Sequence, residues 1–477
     1  MWKLINEVFI DFRKCFKRKA TFDWFVVIVV GFMIRSDSLG VTSVIRDLDI
    51  LADSYTTMIH FFRSTAWDLN DLISKWTEIV KSIAPVYKEC GMTVLVGDGV
   101  KQSKEARKMP GVKKLHQESE NSSKAEYIFG HMFGGVGVLI GGKVKMFCVP
   151  LSMKIHDGVK AIRQWDESDT TQGSHIVQMI ENGFAVAKIM GNSLLLLDRY
   201  FLSAIALIKL EELNKSATTT LLHIVTKAKS SVVAYTKPGE YSGRGRRRKK
   251  GDTIKIEKVF DSRKDDFIET TMTLYGKEEN VKYLCIDLLW GQKLYQELRF
   301  VLVMYNGVRS ILVSTNLELE PTTIISLYSY RFKIECTFRE FKQVIGGFKY
   351  QFWSKVMPKL NRYAKKGDPH PVEKIKCKEE KELILSTLKA IEGYVMCSCI
   401  AMALLQIISI KFSDEINKAP FRFLRTKSNT IVSEATVACF LRKNIIRLIT
   451  KNSGFTISRI IKEKQSEPWF SDNQQAS

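Results

Sequence analysis

Three carboxylates stand where an acid needs a reason. Asp98 interrupts the apolar run VLVGDGV, Asp198 ends the run LLLLD, and Glu335 lies within YSYRFKIECTFREFK, residues 328–342. An acid in a buried strand costs several kcal/mol unless it is paired or binds a cation. Two such acids in one sheet suggest a shared cation, and three converging carboxylates would repel strongly without one. Oxygen-only ligation suits magnesium, with manganese as a substitute. Two such ions, about 4 Å apart, support in-line displacement at phosphorus. Each acid also has a plainer reading: an Asp at a strand end often caps the next turn, and Asp157, Asp166 and Asp169 read as solvated loop acids.

The stretch around Glu335 is expected to be one helix. Tyr328, Arg331, Glu335 and Lys342 recur at intervals of three, four and seven, which places them within roughly 60° of one another on a helix. Leu327, Ile334, Phe338, Phe341 and Ile345 form a neighbouring apolar stripe suited to burial. The polar stripe thus offers an acid, two cations and a phenol. Its plain alternative is an exposed helix face with an Arg–Glu pair at i, i+4.

Charge narrows the partner. The 477 residues include 73 Lys and Arg against 51 Asp and Glu, a net charge of +22, which favours a polyanion such as nucleic acid. With 45% hydrophobic residues the chain can build real cores and is not a disordered polymer. The apolar runs WFVVIVVGFMI (24–34) and VMCSCIAMALLQIISI (395–410) fall short of the roughly 20 residues that span a bilayer, so they read as buried helices. The basic segment before the first mimics a secretion signal, but no small-residue cleavage site follows it. Nine cysteines without a CxxC and seven scattered histidines argue against a disulfide framework or a zinc site and for reduced cytosolic thiols.

The positioning elements fall into four regions. Residues 1–90 read as helical, and 41–63 suit either plain helical packing or two short helices joined by a turn, which would set Tyr55, Thr56, His60 and Arg63 on a DNA-reading helix. From 91 to 229 the order strand, hairpin, helix, strand, helix, strand predicts an α/β core with a mixed sheet, completed by residues 321–350. Residues 230–320 read as a β-rich insertion of short strands such as TIKIEKVF, with a basic loop carrying Arg246, Arg247, Arg248, Lys249 and Lys250. That loop is either solvated or in contact with phosphates. Residues 351–477 form a basic helical tail.

The spacing Tyr-x2-Arg-x3-Glu-x6-Lys, met by Tyr328, Arg331, Glu335 and Lys342, resembles the signature of bacterial insertion-sequence DDE transposases. VGDGVKQSKEARKMPGVKKLHQ is similar to that family's first-acid region and LLLLDRYF to its second, and the resemblance covers roughly residues 40–350. It implies a ribonuclease-H-like core in which Asp98, Asp198 and Glu335 bind two magnesium ions. It further implies that Tyr328, Arg331 and Lys342 position phosphates of the transposon end. The β-rich insertion matches hairpin-forming, cut-and-paste members, whose insertion stacks an aromatic on a flipped base. Trp290 is the candidate here, with an ordinary core Trp as its alternative. Tyr200 departs from the small residue many members carry two positions after the second acid. The expected partners are transposon ends and target DNA, held by a homodimer in the cytoplasm at the nucleoid. The competing expectations are a catalytically inactive or domesticated DNA-binding descendant, and a nuclease without strand transfer.

Overall fold

A computed structural model describes residues 1–37, 40–117, 126–143, 145–156, 159, 162, 164–165, 173–240, 246–361, 363, 368–418 and 431–466. Asp157, Asp166 and Asp169, and positions 243–245 of the basic loop, lie outside the described residues.

The N-terminal region folds as helices α1 (Trp2–Phe12), α2 (Lys19–Ile34), α3 (Thr42–Asp47), α4 (Ser54–Arg63) and α5 (Leu69–Ile83). The apolar run 24–34 lies in α2, which is buried along nearly its whole length. The two short helices expected at 41–63 are α3 and α4. No glycine marks their turn because Asp49 adopts the left-handed conformation itself, at φ +54°, a role Asp tolerates better than most residues. At α5 the Asp68 side chain accepts from the backbone N–H of Asn70 at 2.7 Å and of Asp71 at 3.2 Å, an N-cap that fixes where the helix begins.

The core sheet follows: β1 (Lys88–Glu89), β2 (Met92–Ser103), β3 (Lys113–His116), β4 (Tyr127–Gly142), β5 (Lys145–Ile155), helix α6 (His175–Met190), β6 (Ser193–Leu196), helix α7 (Ala204–Ser216) and β7 (Leu222–Lys227). Strands β5, β4 and β2 pair antiparallel, whereas β2, β6 and β7 run parallel. The spatial order is therefore β5-β4-β2-β6-β7, a mixed sheet as expected. β4 and β5 form the anticipated hairpin, with Gly141 at φ +100° where L side chains are strained.

The insertion comprises β8 (Val233–Tyr235), β9 (Thr253–Lys255), helix α8 (Ile256–Ser262), β10 (Ile268–Leu274), β11 (Lys277–Trp290), β12 (Gln296–Tyr305) and β13 (Val308–Ser314). It does not stand apart, since β13 pairs antiparallel with β7 and carries the core sheet onward through β12 and β11. The run TIKIEKVF is a three-residue strand followed by a helix rather than a strand throughout. Ile256, Val259 and Phe260 recur at helical spacing and bury in the insertion's own apolar cluster.

The expected single helix at 328–342 is broken. Helix α9 (Pro321–Ser329) ends in tight i→i−3 bonds, Tyr330 N–H to Leu327 O at 2.9 Å and Arg331 N–H to Tyr328 O at 3.1 Å. Helix α10 (Lys333–Glu340) then starts afresh and passes into a π-helical turn, Phe341–Ile345. The tail forms α11 (Lys378–Lys418), α12 (Glu434–Lys451) and α13 (Thr456–Lys462), with a kink in α11 at Phe412. The run 395–410 therefore belongs to a 41-residue helix. Among the described residues this is the one helix long and apolar enough to cross a membrane, and 83% of its apolar window is buried against the rest of the protein. It packs on β5 and α2, joining both ends of the chain to the core.

Candidate functional site where β2 runs past the end of β6

Parallel pairing of β2 and β6 puts Val96 opposite Leu196. Two residues further along each chain come Asp98 and Asp198, so one register brings both acids to the same level of the sheet. Asp98 accepts the Gly99 N–H at 2.7 Å. Asp198 lies just past its strand, accepts the Arg199 N–H at 2.7 Å and so caps the 3-10 turn Arg199–Phe201, while its carbonyl accepts the Thr226 hydroxyl at 2.8 Å. The plain capping reading of Asp198 is thus true, and it does not remove the acid from Asp98.

Glu335 arrives from the first turn of α10. Its helix can approach because Gly135, paired with Asp98 across the β2–β4 ladder, has no side chain; a Cβ there would meet the Phe338 ring at 3.1 Å. The break after α9 sets Arg331 between the acids: its guanidinium donates to Asp98 at 3.2 Å and to the Glu335 carboxylate. Burial pushes the Asp98 pKa up to about 6; Arg331 and the Gly99 N–H oppose this, and the Asp198 and Glu335 charges reinforce it. Burial would lower the Arg331 pKa, yet Asp98, Tyr328 and Glu335 hold it above its ordinary value. The half-buried Tyr328 phenol is pushed up by burial, opposed by Arg331 and reinforced by Asp198, Tyr275 and Asp98.

Asp98, Asp198, Glu335, Tyr328 and Arg331 therefore form one electrostatic cluster. Lys342 is exposed on the π-helical turn, its ammonium 6.0 Å from the Phe348 ring. The donor set is oxygen-only and carries excess negative charge, which fits a hard divalent cation. As placed, however, no three His, Cys, Asp or Glu side chains among the described residues are grouped to hold one metal ion, and a guanidinium bridges Asp98 and Glu335.

Trp290 and the basic loop are not brought to this cluster. Tyr275, at the β10–β11 turn, packs against Phe332 with ring centroids 5.7 Å apart and the rings tilted by 51°, and acts on the Tyr328 phenol. Trp290 sits at the other end of the 14-residue β11, roughly 40 Å along it at 3.3 Å per residue. There it is half-buried against the insertion's apolar cluster. Arg246, Arg247, Arg248 and Lys249 are exposed. Lys250 anchors the end of that loop over the Tyr235 ring at 3.8 Å, and Tyr235 pairs with Leu289, beside Trp290.

Sequence reasoning missed Tyr275, whose signal was the Tyr-Gly pair between β-rich runs; both residues take positive φ, as a two-residue hairpin turn requires. The remaining polar core is structural. His131 is fully buried between the Pro110 carbonyl at 2.7 Å and the Tyr350 hydroxyl at 2.6 Å, and burial lowers its pKa to about 4. His156 contacts His175 at 2.8 Å and Asn182 at 2.7 Å. All nine cysteines are free, with Cys397 and Cys399 in the core.

No protein-family model, curated protein or solved structure matches the chain.

Proposed function

We propose that the chain is a DDE-type DNA transposase that cuts at the ends of an insertion sequence and joins the freed 3′-hydroxyl to target DNA. The observation that carries this reading is the meeting of Asp98, Asp198 and Glu335 around Arg331, from three separate segments of a +22 chain. The strand order β5-β4-β2-β6-β7, antiparallel on one side of β2 and parallel on the other, supports a ribonuclease-H-like core. Tyr328 and Arg331 beside the acids, and Lys342 further along, support the family signature.

Asp98, Asp198 and Glu335 would hold magnesium or manganese, which supplies Lewis-acid activation of the attacking and leaving oxygens. Arg331 holds the acids together and, once released from them, presents a planar fork suited to a phosphate. Tyr328, its proton firmly retained, donates a hydrogen bond at the same place. Water is the first nucleophile. The 3′-hydroxyl is the second, attacking the opposite strand if a hairpin forms and target DNA at insertion.

A second reading is favoured by one observation. Arg331 already pairs with both Asp98 and Glu335, an arrangement that suits a non-catalytic DNA-binding descendant. The test is strand cleavage on a duplex carrying the element's terminal repeat, with Mg2+ or Mn2+, followed by joining to a supercoiled plasmid. Cleavage abolished by Asp98→Ala, Asp198→Ala or Glu335→Ala, with end binding intact, is expected. Binding without any cleavage would favour the second reading, and cleavage without joining a nuclease.

A further inference from the structure

Beyond the acids, the chain builds a second basic surface from two segments distant in sequence. Residues 101–116, which continue β2 past Asp98, and residues 346–361, which follow the π-helical turn of Lys342, together hold nine Lys and Arg against one acid, Glu105.

The two segments are bonded to each other. Ser354 N–H donates to Lys108 O at 3.1 Å and Leu360 N–H to Arg107 O at 3.0 Å. The Lys108 ammonium donates to Lys355 O at 3.0 Å. Underneath, Lys104 donates to Phe348 O at 2.6 Å and Tyr350 O at 3.0 Å while lying 3.6 Å over the Tyr350 ring. His131 ties Pro110 of one segment to Tyr350 of the other. Helix α4 joins the same surface, since the Arg63 guanidinium donates to Trp353 O at 3.2 Å. These bonds use backbone carbonyls and the inner lysines, which leaves the outer cations facing solvent. Arg107, Lys114, Lys349, Lys355 and Lys359 are exposed, and so is Trp353 at 52%. The exposed face of α4 adds Tyr55, Thr56, His60 and Arg63, with no acid between 54 and 63.

We propose that this crossed pair of segments, with α4, is a docking surface for duplex DNA that leads away from the acid cluster. A braced array of nine cations against one acid fits a regular polyanion, and each phosphate it neutralises releases a counterion. An exposed Trp among cations fits the apolar face of a deoxyribose between the phosphates. Continuity with Asp98 through β2 and with Lys342 through residues 343–348 places the surface beside the site where DNA would be cut. The inference rests on the reading of the chain as a DNA-processing protein.

The experiment measures binding of the full chain to a short labelled DNA duplex carrying the element's terminal repeat by fluorescence anisotropy over a range of KCl concentrations, with strand cleavage in Mn2+ followed in parallel. The double variant Lys355→Ala/Lys359→Ala, both exposed, is expected to bind about tenfold more weakly, with the slope of log K against log salt shallower by about 2. Trp353→Ala is expected to weaken binding with the slope unchanged. Wild-type affinity and slope in the double variant overturn the proposal, as does a wild-type chain that binds no duplex or prefers double-stranded RNA. Salt-dependent binding lost in the double variant, without any cleavage by the wild type, supports the surface and sinks the transposase reading. Cleavage with unaltered binding in the double variant does the reverse.

Discussion

Arg331 and Asp98 stand 233 positions apart in the chain and meet at 3.2 Å, with Arg331 only 16% and Asp98 20% exposed at the side chain. The same guanidinium reaches Glu335. One cation thus stands where the carboxylates would otherwise repel, and a divalent ion would have to compete with it. Arg331→Ala is therefore expected to have two opposite effects. It should destabilise the fold by about 3 kcal/mol, since it leaves buried Asp98 unpaired, and tighten Mn2+ binding in the absence of DNA. Denaturant titration and Mn2+ paramagnetic resonance read the two separately. Unchanged Mn2+ affinity would mean that the guanidinium does not guard the acids.

Asp98 itself is a stability liability near neutral pH. Its pKa is about 6 in the folded chain against an ordinary 3.8, so between these values the native state keeps a proton that the unfolded state has lost. Wild-type stability then falls as pH rises through this window, by roughly 3 kcal/mol at about 1.4 kcal/mol per unit. Below about pH 4 both states are protonated and the penalty vanishes. Asp98→Asn removes it at every pH, so the variant is expected to melt higher than wild type at pH 7–8 and alike near pH 4, while losing cleavage. Parallel pH profiles of the two proteins would expose the idea as wrong.

The glycines of β4 make a graded prediction about how closely the site is packed. A Cβ at Gly134 would lie 2.0 Å from the buried His156 ring, and one at Gly135 would lie 3.1 Å from Phe338. His156 is held through both ring nitrogens and cannot swing away. Gly134→Ala is thus expected to cost about 2–3 kcal/mol, the upper part of the range for overpacking a core, and Gly135→Ala clearly less. Equal losses in thermal melts would mean that His156 has more freedom than its bonds imply.

The acids were legible because each breaks a pattern. Asp98 and Asp198 interrupt strand-like apolar runs, and the intervals around Glu335 are unusual. The mixed sheet was legible from the alternation of strand and helix patterns. The break between α9 and α10 was not, because YSYRFK carries neither Gly nor Pro and its polar intervals suit one continuous helix as well as two. The membership of the insertion in the core sheet was also hidden, since strand pairing is a long-range property that local patterns leave free. TIKIEKVF misled because its apolar spacing fits period two and period 3.6 equally. Nor did any local signal pair residues 104–110 with 348–360, whose contacts run through backbone carbonyls.

The two aromatics at the ends of β11 lie at very different distances from the acid cluster. Trp290 and Tyr275 flank β11 at opposite ends, and the structure sets Tyr275 at the acid cluster through Phe332 and Tyr328. Tyr275 is 60% exposed, so Tyr275→Ala removes little packing. It is expected to leave the melting temperature within a degree or two of wild type and to slow strand cleavage about tenfold, as the loss of one base- or sugar-stacking contact implies. Trp290 is half-buried among insertion side chains. Trp290→Ala is expected to destabilise the protein by roughly 1–2 kcal/mol, less than a fully buried aromatic would, and to leave cleavage per folded molecule near wild type. Thermal melts and single-turnover cleavage of both variants decide between them. Slow cleavage in Trp290→Ala with normal cleavage in Tyr275→Ala would return the stacking role to Trp290, and would require β11 to bend its far end back toward Asp98.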